Sequence, residues 1–165
     1  MVAKKTILQN LKSLNKLYNS ARFPKENLFY AKLAVLELSG WVEESMDSIV
    51  FGCIKKKLKE SKNIEDVKDM VSKNYGFSYE NNFRKILINV IGIINVEKLE
   101  RNVDSVKLQE LKSTIGIIKK SRDIEAHTHI SKIKTIDAPS VTMNNLQKIY
   151  SGLKEIKNTL KTIGF

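Results

Sequence analysis

The chain has 165 residues, a 42% hydrophobic share and a formal net charge of +11, from 29 Lys and Arg against 18 Asp and Glu. That length sustains one domain, residues 1–165, with a core of its own, and the single cysteine, Cys53, excludes an internal disulfide and suits a reducing cytoplasm. Two prolines, seven glycines and no low-complexity tract exclude a disordered chain, and no apolar run approaches the ~20 residues of a membrane span.

The charge asks for an anionic partner, with nucleic acid the first candidate. It is nearly all lysine, since only Arg22, Arg84, Arg101 and Arg122 are arginines, and aromatic residues are few. It therefore argues for attraction to phosphate and not for base readout.

Taken from the start, Met1 to Lys5 lead into an amphipathic pattern without a secretory apolar core, so a cytoplasmic protein is expected. Ile7, Leu8, Leu11, Leu14, Leu17 and Tyr18 recur at helical spacing and predict a first helix over about 2–20. Phe23-Pro24 ends it. Asn27 is the expected N-cap of a long second helix running toward Lys59, whose apolar residues cover more than one stripe and mark it as central. Within it, Cys53 reads as a small buried hydrophobe. Glu37, Glu43, Glu44 and Asp47 form either a solvated face or a row from which one carboxylate anchors Arg122 or lines a cleft. Lys55, Lys56, Lys57 and Lys59 suit the negative end of that helix.

A short helix is expected from Asn63 to near Tyr75-Gly76, and another from Ser78 through Ile91. Residues 92–103 read as a connection with room for one helical turn. Asp104 caps a further helix with Val106, Leu108, Leu111, Ile115, Ile117 and Ile118 on its buried side. A loop from Ile133 to Ser140 precedes a last helix that Thr142 caps, with Leu146, Ile149, Leu153, Ile156 and Leu160 at helical spacing. No useful strand alternation occurs. The fold class is all-α, a helical bundle around a long central helix.

Both histidines fall in one stretch, Lys119 to His129, which also holds Arg122. On a helix Asp123 and His127 share a face, and a long Arg122 side chain can swing toward the imidazole one turn on. Histidine changes charge near neutral pH and suits proton transfer, while the guanidinium fork matches phosphate oxygens. The set fits phosphodiester chemistry better than carbohydrate or acyl chemistry. The plainer account is a solvated helix end with ion pairs four residues apart. His127 and His129, two residues apart, are weak as metal ligands, so neither a metal site nor a cofactor is expected.

This arrangement resembles the HEPN superfamily, and within it the group called RiboL-PSP-HEPN. That group carries Arg, four to six residues, then His, with a polar residue directly after the Arg; Arg122-Asp123-Ile124-Glu125-Ala126-His127 has both features. The acidic-apolar helix around Leu36 to Glu44, and Pro139 before a terminal amphipathic helix, are also similar. Thr128 departs from the glycine usual after the motif histidine. The resemblance implies a metal-independent endoribonuclease working as a homodimer, with two motifs facing each other. Arg122, Asp123 and His127 would be catalytic, with Glu43, Glu44 and His129 supporting them. It also implies a toxin or defence effector acting on RNA, with a neutralising or regulatory protein partner. A non-catalytic HEPN module that binds RNA, nucleotide or a protein is the alternative.

Overall fold

The computed structural model describes residues 2–55, 57–130 and 135–165. Among them every regular element is helical: α1 (Lys4–Ser20), α2 (Pro24–Ile54), α3 (Ser61–Ser72), α4 (Arg84–Ile91), α5 (Ile93–Asn102), α6 (Ser105–His127) and α7 (Pro139–Thr162). One π-helical turn, Tyr79–Phe83, leads into α4.

α2 is the axis of the bundle. It packs on α1, α4, α6 and α7, and residues from Ala31 to Ile54 are buried along several of its sides. Ile7 and Leu11 of α1, Leu111 and Ile115 of α6, and Leu146, Ile149 and Leu153 of α7 close one continuous apolar cluster around it. Each such side chain, fully removed from water, stabilises by roughly 1.5–3 kcal/mol. α6 and α7 approach closely at Gly152, where a Cβ would stand 2.6 Å from Leu111 Cβ. Among the described residues, no helix is long and apolar enough to cross a membrane.

Several helix ends differ from expectation, each for a local reason. α2 begins at Pro24 and not at Asn27, because proline's fixed φ suits the first helical position. Glu26 accepts the backbone N–H groups of Arg22 (3.0 Å) and Phe23 (3.4 Å), while Asn27 Nδ2 donates back to Tyr18 O and caps the end of α1. α2 ends at Ile54, before the lysines. Residues 93–102 form α5 in place of the expected connection; Gly92, at φ +82°, separates it from α4. Val106 and Ile117 are exposed and not buried. α7 starts at Pro139, so Thr142 lies buried inside the helix instead of capping it. Part of the expected loop from Ile133 to Ser140, and Lys56, lie outside the described residues.

Candidate functional site

α6 delivers the motif. Its first turn is capped by Asp104, which accepts the Lys107 N–H at 3.0 Å, and its buried stripe runs through Leu108, Leu111, Ile115 and Ile118 to Glu125. Arg122 sits on that stripe, four residues after Ile118 and three before Glu125, which draws its long side chain inward. Its guanidinium lies over the buried Phe77 ring, with Cζ 5.2 Å from the centroid. A cation so placed and partly desolvated gains on the order of 1–2 kcal/mol. Arg122 Nε is buried and 3.0 Å from Asp123 Oδ1, a contact of charges whose angle is not that of a hydrogen bond.

Phe77 belongs to a loop that is held from two sides. Gly76 takes φ +102°, a conformation that favours glycine, and its N–H donates to Glu43 Oε1 of α2 at 2.8 Å. Asn82 Nδ2 donates to Asn74 Oδ1 (3.1 Å) and Tyr75 O (2.8 Å), while its Oδ1 accepts the Ser78 N–H at 3.1 Å. Glu43 therefore bears on Arg122 through the loop that carries the ring. Among the described residues, no α2 carboxylate pairs with Arg122 directly. One turn along α2, burial and then the charges of Glu43 and Glu44 push the Asp47 carboxyl up to about 6.

Among the described residues no hydrogen bond or ion pair joins Asp123 to the His127 imidazole one turn on. Its carboxylate instead accepts Lys119 Nζ at 2.7 Å. That bond, with Arg122, Lys119 and His127 nearby, holds it below the usual carboxylate range and so ionised. His127 is the last residue of α6 and is exposed. Thr128 ends the helix at φ −122°, ψ 140°, an extended conformation comfortable for threonine, so no glycine is required there. Its hydroxyl donates to Ile124 O (2.7 Å), and Lys32 Nζ of α2 donates to Thr128 O (2.6 Å), which ties the end of α6 to α2.

The structure thus joins Arg122 and Asp123 directly, and brings in Glu43 at one remove. Glu44 is placed elsewhere, lining a cleft of about 250 Å³ with Val2, Asn10, Glu37 and Trp41. His129 lies beyond the helix, exposed. Phe77 and Lys32 carry no mark in the sequence and Gly76 is marked only as a turn, although Lys119 four residues before Asp123 is a visible helical ion pair. Cys53 is buried, and burial pushes its thiol up to about 11, so it is a poor nucleophile. Among the described residues, no three His, Cys, Asp or Glu side chains converge as metal ligands. No protein-family model, curated protein or solved structure matches the chain.

Proposed function

We propose that the chain is a metal-independent endoribonuclease of HEPN type, acting as a homodimer in which two copies of Arg122 and His127 face a shared RNA strand. The observation that carries this reading is the fixed guanidinium of Arg122 over Phe77, with an exposed imidazole five residues on along the same helix. Five residues advance about 7.5 Å along a helix axis and turn about 140° round it, so Arg122 and His127 meet on one phosphodiester only through the length of the Arg side chain.

The chemistry needs little else. The ribose 2′-OH attacks the adjacent phosphorus, the bond to the 5′-oxygen breaks, and the products are a 2′,3′-cyclic phosphate and a 5′-hydroxyl. His127 of one copy takes the 2′-OH proton, and the partner's His127 protonates the leaving oxygen. Arg122 stabilises the charge that grows on the phosphoryl oxygens. Asp123, held ionised by Lys119, stands against the guanidinium and keeps its charge close to the phosphate. Exposed Ile117 and Ile124 share the face of α6 that carries His127, and they supply apolar surface for a twofold contact. Such an activity suits a toxin or defence effector restrained by a protein partner.

The test uses a single-stranded RNA and its 2′-deoxy counterpart, both in EDTA. Cleavage of the RNA alone, leaving a cyclic phosphate, is expected. Binding of both strands without cleavage of either would replace this reading with the non-catalytic module.

A further inference from the structure

Tyr75 is the most exposed large apolar side chain among the described residues, at 85%. It stands on the same loop as Phe77, two positions before it, so the two Cα atoms lie within about 7 Å. Exposed aromatic side chains on surface loops are often mobile, but this loop is fixed. The Tyr75 carbonyl accepts Asn82 Nδ2 at 2.8 Å, and the next residue's N–H is held by Glu43 at 2.8 Å. A rigid backbone thus presents one ring inward, beneath Arg122, and another outward into water.

We propose that Tyr75 is a stacking platform for a nucleobase of single-stranded RNA, next to the phosphate that Arg122 engages. The inference rests on Arg122 being a phosphate ligand. Base–aromatic stacking needs an open π-face and tolerates any base, which fits a chain whose charge attracts phosphate without reading sequence. It also selects single strands, since the bases of a duplex are already stacked and their faces covered. The loop joins the two functions: displacing it would move both the ring under Arg122 and the ring offered to the base.

The experiment measures binding of a 2′-O-methyl RNA oligonucleotide, which cannot be cut, containing one 2-aminopurine as a fluorescent base. Wild type, Tyr75→Ala and Tyr75→Phe are compared with the single strand and with its duplex. Stacking on Tyr75 predicts quenched fluorescence with wild type and Tyr75→Phe. In Tyr75→Ala the quench is lost and single-strand affinity falls about ten- to a hundredfold, with melting temperature and duplex affinity unchanged. Equal affinity and equal quenching in Tyr75→Ala overturn the proposal. Because the probe is uncleavable, Tyr75-dependent quenching supports it even if wild type cuts no RNA, so the two readings fail separately.

Discussion

Replacing Gly152 by Ala probes the crossing that holds α6, and with it the motif, against α7. The added Cβ would meet Leu111 Cβ at 2.6 Å, Cγ at 3.1 Å and Cδ1 at 3.2 Å. Carbon atoms rest about 3.5–4.0 Å apart, so the helices must part or Leu111 must leave its rotamer. Overpacking of this kind costs roughly 1–3 kcal/mol. Alanine's better helix propensity returns about 0.8–1 kcal/mol. The net expectation is a loss of up to about 2 kcal/mol, which lowers the melting temperature of a chain this size by up to about 8 °C. Gly116→Ala on α6 is the matched control, since nothing lies within 4 Å of its added Cβ, and it should stabilise by up to about 1 kcal/mol. Thermal melts and urea midpoints on both variants read the difference. A Gly152→Ala protein stabilised as much as Gly116→Ala would refute the close crossing.

Asp47 gives a pH test. Its carboxyl titrates near 6 in the fold, above the ordinary value of about 3.9, so between those values the folded chain holds a proton that the unfolded chain releases. Its contribution to stability therefore falls as pH rises through that window, leaving a cost on the order of 1 kcal/mol above it once solvent screening is allowed for. Asp47→Asn should melt higher than wild type at pH 7.5 and level with it at pH 4; no difference at either pH contradicts this. The proposed shared site requires assembly: sedimentation at micromolar concentration should give a symmetric dimer, and an active monomer would sink the facing-motif arrangement.

The helices are legible in the sequence because apolar residues recur at helical spacing in α1, α2, α6 and α7, where burial decides the pattern. α5 is not, because only Val96 and Leu99 are buried while Ile93 and Ile94 face water, so its apolar residues trace no single stripe. The start of α2 is easily misplaced because a residue before proline signals the end of one helix as readily as the threshold of the next. In the site, Arg122 and His127 are marked by residue type and by the family resemblance, since their spacing alone equally suits a solvated helix end. Phe77 does not, since it reaches Arg122 only through the folding of a distant loop. Glu43 stands out as an acid among apolar neighbours, but its partner is a backbone N–H, which no sequence pattern marks.

The central claim, that His127 moves a proton while Arg122 holds the phosphate, is tested most directly by cleavage of one end-labelled RNA by wild type and His127→Ala. His127 is exposed at a helix end, so the variant should melt within about 2 °C of wild type. Its binding should persist, because lysines supply most of the phosphate attraction. Cleavage should fall by at least about a hundredfold. A His127→Ala protein that cuts the RNA at the wild-type rate would contradict the account.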